Sequence, residues 1–91
     1  HIIAEARYVK EAGSHYADTA FVVDEAYQGK GIATYIYRMM IRLAKERGIK
    51  GFRSDVLASN KGMLKVFENG GEVVNAKLEF NVYNLTIPFK D

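Results

Sequence analysis

The sequence predicts an α+β fold with a mixed sheet and elements in the order β-β-α-β-α-β-β. Short runs of β-branched and aromatic residues alternate with two helical patterns of apolar residues. Strands that alternate with helices require at least one parallel crossover, and strands joined by short turns pair antiparallel. The chain has 91 residues, of which 48% are hydrophobic and 26% charged, so one soluble globular domain over residues 1–91 is expected.

Five strands are predicted from β-rich runs that end at glycines or polar turns. The first two are joined by a hairpin turn at Gly13, and the last two follow the second helix directly. The predicted strands cover residues 2–9, 16–23, 51–57, 72–77 and 79–89.

Two helices are predicted. The first ends at Gly48, and its inward face is expected to carry the apolar residues at three- and four-residue spacing. The second spans residues 61–69, with Asn60 as N-cap and Phe67 facing the core together with Met63 and Leu64. The predicted inward face of the first helix consists of Ile32, Ile36, Met39, Met40, Leu43 and Ala44.

Composition and charge exclude several functional classes. The chain has no cysteine, which removes disulfides, thiolate catalysis and Cys-based zinc sites and fits a reducing, cytoplasmic location. No metal site is predicted, since His1 and His15 lack partners at ligand spacing. The net charge of +2 is spread over interspersed acids and bases, so no nucleic-acid partner is expected. No apolar run approaches the ~20 residues that span a bilayer, so no membrane partner is expected either.

The most informative stretch is residues 22–34 (VVDEAYQGKGIAT), where a strand enters a glycine turn that opens a long helix. The first amides of such a helix are unpaired and lie at the positive end of its dipole, which predicts a phosphate or pyrophosphate site. A Walker A loop is excluded because Gly31 follows Lys30, and a dinucleotide fingerprint because Thr34 or Tyr35 replaces the third glycine. On glycine spacing alone, a plain tight turn explains the stretch equally well.

Residues 28–33 (QGKGIA) resemble the Q/R-x-x-G-x-G/A signature of the GNAT acetyltransferase superfamily, and the strand before and helix after them fit that setting. Residues 55–64 (DVLASNKGML) resemble the strand and Asn-x-x-Met/Ala segment that follows the central helix in this family. Residues 6–8 and 17–23 are similar to the GNAT domains attached to acyl-CoA synthetases or CoA transferases, which include bacterial protein lysine acetyltransferases.

This resemblance implies a GNAT-like fold that lacks the usual N-terminal strand and helices. The sequence is then either a reduced domain or the C-terminal part of a longer chain. The implied co-substrate is acetyl-CoA or CoA, with no metal, and the implied acceptor is a small amine or a protein lysine. The family also implies that a CoA-enzyme domain could be attached to this one.

The resemblance also implies where coenzyme A is bound. Backbone amides of the turn would hold the pyrophosphate, and Asn60 would contact the CoA arm from the second helix. The arm itself would lie in a gap between the strand ending at Val23 and the strand at residues 52–57, lined by Val22 and Val23. The pyrophosphate residues are Gln28, Gly29, Lys30, Gly31, Ile32, Ala33 and Thr34.

The catalytic groups are assigned on the same resemblance. Asp18 is the candidate base, because lysine-acetyltransferase-like members carry a glutamate in the matching place; its shorter side chain favours a water relay. A polar strand residue facing solvent is the alternative interpretation of Asp18. Glu5 is the second choice. Phe67 stands where many members carry a tyrosine that protonates the leaving thiolate, and it has no proton to donate.

Two functions therefore remain open from the sequence. The first is an N-acetyltransferase that moves the acetyl group of acetyl-CoA to an amine, which Asp18 favours. The second is a non-catalytic acyl-CoA-binding regulatory module of a larger CoA-metabolising enzyme, which Phe67 and the missing front of the domain favour.

Overall fold

The computed structural model describes residues 4–10, 13–23 and 31–90. Its element order is the predicted β-β-α-β-α-β-β. The elements are β1 (Ala4–Lys10), β2 (Tyr16–Val23), α1 (Ile32–Glu46), β3 (Gly51–Leu57), α2 (Lys61–Glu68), β4 (Asn75–Glu79) and β5 (Val82–Pro88).

The five strands form one mixed sheet in the order β1-β2-β3-β5-β4. β2 and β3 pair parallel, with α1 as the crossover between them, and the other neighbours pair antiparallel. The predicted α+β class and the predicted parallel crossover are both confirmed.

Both helices pack on the same face of this sheet, which we call the covered face. The Tyr37 ring of α1 meets the Phe67 ring of α2 edge-on at 4.8 Å between centroids, and the Phe21 ring of β2 at 6.2 Å. In β3, Phe52 and Val56 are buried on this face, whereas Arg53 and Asp55 are exposed on the other, open face. The core therefore lies between one sheet face and two helices.

The buried face of α1 differs from the predicted one. The structure buries Ala33, Tyr37, Met40, Ile41 and Ala44, whereas three residues predicted to face inward, Ile32, Met39 and Leu43, are 37–46% exposed. Apolar residues occupy two adjoining stripes of this helix, and both stripes have helical spacing. The small side chains of Ala33 and Ala44 allow close approach to the sheet, which selects the stripe that periodicity alone does not distinguish.

The last two strands also end at different residues from those predicted. Glu79 of β4 pairs with Val82 of β5, so the connection is the two-residue turn Phe80–Asn81 rather than a break at residue 78. Both turn residues have positive φ, 49° and 65°, as hairpin turns of this kind require. Phenylalanine is an unusual residue for that conformation, so the sequence carried no turn signal here.

Tyr37 fills the space between α1 and the end of α2. Its side chain is fully buried, and its ring lies so close to Gly70 that a Cβ at that position would overlap it. The Tyr37 hydroxyl is buried without a hydrogen-bond partner among the described residues. Burial, and to a smaller extent the charge of Glu72, raise the pKa of this hydroxyl well above its ordinary value.

Candidate functional site

The central feature of the site is a fork between β2 and β3. The two strands pair only from Tyr16↔Gly51 to Asp18↔Arg53. Beyond that point β2 continues to Val23 and β3 to Leu57 with no ladder between them. We call the unpaired parts, residues 19–23 and 54–57, the fork, and its closed end the vertex. The predicted gap between these strands is confirmed.

Two side-chain hydroxyls bridge the vertex. The Thr19 hydroxyl donates to the backbone oxygen of Arg53 at 3.2 Å, and the Ser54 hydroxyl donates to the backbone oxygen of Thr19 at 3.4 Å. These bonds connect the strands where the backbone ladder stops. Residues of β2 and β3 that lie 35 positions apart in sequence are thereby held together.

A groove of about 390 Å³ follows the fork on the covered face. It is lined by residues 19–21 of β2, by residues 54–57 of β3, and by Asn60, Met63 and Phe67 of α2. We call it the fork groove. Its walls combine apolar side chains with a few polar groups, as is usual for sites that bind an extended organic ligand.

A second groove of about 390 Å³ adjoins the vertex and is formed mainly by open-face residues. The exposed carboxylate residue Asp18 lines it together with Arg53, Asn84 and Thr86. We call it the acceptor groove. Three residues line both grooves, and they are Thr19, Ser54 and Asp55. A group carried to the vertex in the fork groove therefore lies next to the acceptor groove.

No side chain among the described residues caps the start of α1. Gly31 occupies the N-cap position with a left-handed φ of 81°, and no acidic residue lies in the first turn. The helical hydrogen bonds begin with the Tyr35 amide, which donates to the Gly31 oxygen at 3.0 Å. The amides of residues 32–34 precede that bond and have no acceptor within the helix.

A smaller groove of about 290 Å³ opens beside these amides. The α1 side contributes Gly31, Ala33 and Thr34, and α2 contributes residues that include Gly62 and Lys65. The lysine adds a positive charge next to the positive end of the α1 dipole. This groove suits a phosphate group on electrostatic grounds.

Asn60 caps α2 as predicted. Its side-chain oxygen accepts a hydrogen bond from the Met63 amide at 3.2 Å. Because that oxygen is engaged, the NH₂ group of Asn60 is the part of its amide that remains to meet a ligand in the fork groove. The predicted contact with a CoA arm stays a prediction.

Phe67 packs in the core, as predicted. Its side chain is 1% exposed, and Met63 of the same helix face is also buried. The Phe67 ring nevertheless forms part of the fork-groove wall. It lies where it can contact a ligand but has no proton to give.

Other predicted site residues are only partly described. Glu5 is paired with Val22 in the β1–β2 ladder, four rungs from the Val9↔Asp18 pair. Glu5 therefore lies far along the ladder from the vertex, which adjoins Asp18. The side chains of Glu5, Val22 and Val23, and all of residues 28–30, lie outside the described part of the chain.

The sequence reasoning missed the residues at the vertex. Thr19 and Ser54 look like ordinary strand residues, and Asp55 stands out only as the first residue of the segment 55–64. Their roles depend on the register of β2 against β3, which places Asp18 beside Arg53. A pairing between residues 35 apart has no local sequence signal.

Two further observations concern metal ions and membranes. No group of three or more His, Asp or Glu side chains that could hold a metal ion is found among residues 4–10, 13–23 and 31–90. Neither helix in this part of the chain is long and apolar enough to cross a membrane.

Comparison with known proteins finds the same family in sequence and in structure. The sequence model of the Acetyltransferase (GNAT) family matches residues 1–71. "Acetyltransferase Pat" of Mycolicibacterium smegmatis is 36% identical over 73 residues, which are 79% of this chain and 22% of that protein. "Putative phosphinothricin acetyltransferase YwnH" of Bacillus subtilis is 33% identical over 67 residues, which are 74% of this chain and 41% of that protein.

Solved structures agree with these matches. The GNAT domain of S. lividans PAT superposes with a TM-score of 0.79 at 33% identity, covering 96% of this chain and 54% of that one. A cAMP-binding acyltransferase from Mycobacterium smegmatis superposes with a TM-score of 0.77 at 30% identity, covering 97% and 27% of the two chains. The chain thus spans about half of the PAT domain and less than half of the two curated relatives named above.

Proposed function

Because this chain belongs to the GNAT acetyltransferase family, we propose that it forms the acyl-CoA-binding part of an N-acetyltransferase, which transfers the acetyl group of acetyl-CoA to an amine. The observation that carries the proposal is the fork. It provides a groove between β2, β3 and α2 that ends at a vertex where the acceptor groove begins, and a separate groove lies beside the start of α1. Donor and acceptor can therefore approach the same point from two sides.

In this proposal, coenzyme A lies along the fork with its phosphates at the open end. The pyrophosphate is bound by backbone amides of residues 28–34, where an uncapped helix end favours a negative group. The pantetheine arm follows β2, with residues 22–23 near the phosphates and the thioester towards the vertex. The unpaired backbone edges of the fork offer this arm hydrogen bonds like those of a neighbouring strand.

The acceptor amine approaches through the acceptor groove. A lysine amine has a pKa near 10.4 and must lose a proton before it can attack the thioester. Asp18 faces this groove, and we assign it as the base, acting through water because its side chain is short. Glu5 remains the second choice. A preorganised backbone amide can then stabilise the oxyanion that forms.

The Phe21 amide is well placed for that role. The backbone groups of alternate strand residues point to the same side, so this amide faces the fork as the Thr19 carbonyl does. No ladder bond to β3 is available to it at that position. The CoA thiolate then leaves without a proton from Phe67, either as the free anion or with a proton from water.

The acceptor proposed is a protein lysine or a small amine. Relatives named as acetyltransferases, Pat among them, support transfer rather than a purely regulatory acyl-CoA-binding module. Pat is much longer than the matched segment, and an attached CoA-enzyme domain is part of the proposal. We place the reaction in the cytoplasm, a compartment that supplies acetyl-CoA.

The site of CoA binding is tested with a matched pair of glycine variants. Gly31 and Gly48 have nearly the same φ, 81° and 80°, and a Cβ at either position meets no atom within 4 Å. Gly31→Val and Gly48→Val should therefore strain the backbone similarly. Calorimetric titration with acetyl-CoA should show binding lost in Gly31→Val and kept in Gly48→Val. Equal affinity in the two variants would exclude the proposed phosphate position.

A further inference from the structure

We propose that Thr19 and Ser54 are positioning residues that fix the vertex of the fork and so limit the length of the acyl group that the site accepts. This inference rests on the proposed function, because it assumes that the thioester of an acyl-CoA reaches the vertex. Neither hydroxyl is assigned a chemical step. Their effect is on where β2 and β3 separate.

The geometry of the vertex supports this role. In a parallel ladder that continued past Asp18↔Arg53, the Thr19 carbonyl would accept from the Asp55 amide. The ladder stops instead, and the Ser54 hydroxyl donates to that carbonyl at 3.4 Å. On the other strand, the Arg53 carbonyl accepts from the Thr19 hydroxyl at 3.2 Å. Each strand thus donates one hydroxyl to a carbonyl of the other, and we call this reciprocal pair the clasp.

The clasp stands at the boundary between the two grooves. Thr19 and Ser54 are both half-buried and line both the fork groove and the acceptor groove. Residues 19–23 extend about 13 Å along the fork, at the usual rise of a strand. An arm that enters at the open end therefore meets the clasp when it has followed the whole unpaired part of β2.

A closed vertex limits the length of the acyl group. The strands cannot separate at Thr19 without breaking the two clasp bonds, so the space between β2 and β3 beyond the thioester stays narrow. An acetyl group adds one methyl beyond the carbonyl, whereas a butyryl group needs two further methylene groups of space. The clasp therefore favours short acyl groups because it holds the two strands together next to the thioester.

The test compares acyl-chain preference in variants that lose the hydroxyls. Thr19→Val keeps the shape of the side chain, and Ser54→Ala removes only the hydroxyl. We expect the double variant to shift the ratio of kcat/KM for butyryl-CoA to that for acetyl-CoA upward by at least tenfold. Its affinity for CoA should stay within about twofold of the wild type, because the phosphate site is distant. An unchanged ratio in an active double variant overturns the proposal.

Ser14→Ala is the matched control. The Ser14 hydroxyl accepts a hydrogen bond from the Tyr16 amide at 3.1 Å, just before β2 and away from the fork. This variant loses one bond between a side-chain hydroxyl and the backbone, against two in the double variant, so it should also destabilise the protein but leave the acyl-chain ratio unchanged. A shift of the same size in Ser14→Ala would mean that general loosening, not the clasp, sets the preference.

Amide hydrogen exchange provides a second measurement that needs no turnover. In the ligand-free protein, the amides of residues 54–57 should exchange faster in the double variant than in Ser14→Ala. Equal exchange in the two proteins overturns the proposal. Failure of the wild type to bind acetyl-CoA in the titration would instead overturn the proposed function, while the exchange comparison still decides whether the clasp holds the fork.

Discussion

The two faces of the sheet have different tasks. The covered face packs against α1 and α2 and contributes Phe52, Leu85 and Ile87 to an apolar core. The open face presents exposed polar residues around the acceptor groove, among them Asp18 and Asp55. In the proposed function, the covered face therefore carries the stability of the fold, and the open face of the same strands carries the chemistry of the acceptor. Substitutions on one face should leave the property of the other nearly unchanged.

The largest effect on stability is expected from Phe67→Ala in α2, which packs on the covered face. This removes a ring that is 1% exposed and packs against Tyr37, so the free energy of unfolding should fall by about 3–5 kcal/mol. Phe80→Ala is the control, because the Phe80 side chain is 96% exposed and its loss should cost less than about 0.5 kcal/mol. Denaturant titration measures both. Similar losses in the two variants would contradict the assignment of the covered face.

A smaller loss is expected at the edge of the covered face, where Asn60 caps α2. Asn60→Ala leaves the Met63 amide without its side-chain acceptor and should lower the free energy of unfolding by about 0.5–2 kcal/mol. Asn60→Asp keeps an acceptor oxygen and should retain most of the stability. Thermal unfolding separates the two variants. An aspartate variant as unstable as the alanine one would show that the cap bond is not the cause.

Tyr37→Phe tests the buried hydroxyl of α1, between this helix and the covered face. Removing a polar group without a described partner should leave stability at neutral pH the same or higher, by about 1 kcal/mol at most. The difference should grow in alkali. Because burial raises the pKa of Tyr37 in the folded protein, the unfolded chain ionises first, at about the ordinary value of 10.0.

The free energy of unfolding of the wild type should therefore fall as the pH rises above 10, and that of Tyr37→Phe should fall less steeply. Below that pH, Tyr37 does not contribute to the pH dependence of stability. Urea unfolding at a series of pH values measures the two slopes. Parallel curves throughout would show that the hydroxyl ionises equally easily in the folded and unfolded chains.

The smallest effect on stability is expected on the open face, where Asp18→Asn should change the free energy of unfolding by less than about 0.5 kcal/mol. Its effect should be on the rate instead. Loss of the carboxylate should lower kcat/KM at neutral pH while CoA affinity stays nearly constant, because Asp18 lines the acceptor groove. Asp55→Asn is the companion variant. A normal rate for Asp18→Asn with a reduced one for Asp55→Asn would move the base to the second carboxylate.

The sequence predicted features that depend on residues close together in the chain. The cap at Asn60, the inward position of Phe67 and the start of α1 after a glycine turn each follow from local spacing. The buried face of α1 was missed because two apolar stripes had the same period, and only packing against the sheet separates them. The turn at Phe80–Asn81 was missed because positive φ at a phenylalanine is set by the register of the hairpin.

The candidate site was predictable to a similar extent. A motif predicts the phosphate end, because its amides belong to one short segment. The vertex was not predictable, because Thr19 and Ser54 meet only after β2 and β3 have paired across α1. Residues whose role depends on long-range register carry no local signal of that role.

The short pairing of β2 with β3 also has a consequence for the order of folding. The β1–β2 and β4–β5 pairs are hairpins, which can form in microseconds, whereas β2 and β3 must close a loop that contains α1. We expect the N-terminal hairpin to dock last and detach first. A ligand bound across the fork would join both halves and oppose that detachment, by about 2.7 kcal/mol at a hundred times its Kd if it binds only the docked state. Acetyl-CoA would then act as the last folding contact of the protein as well as its co-substrate, so the lifetime of the docked hairpin should follow the supply of acetyl-CoA.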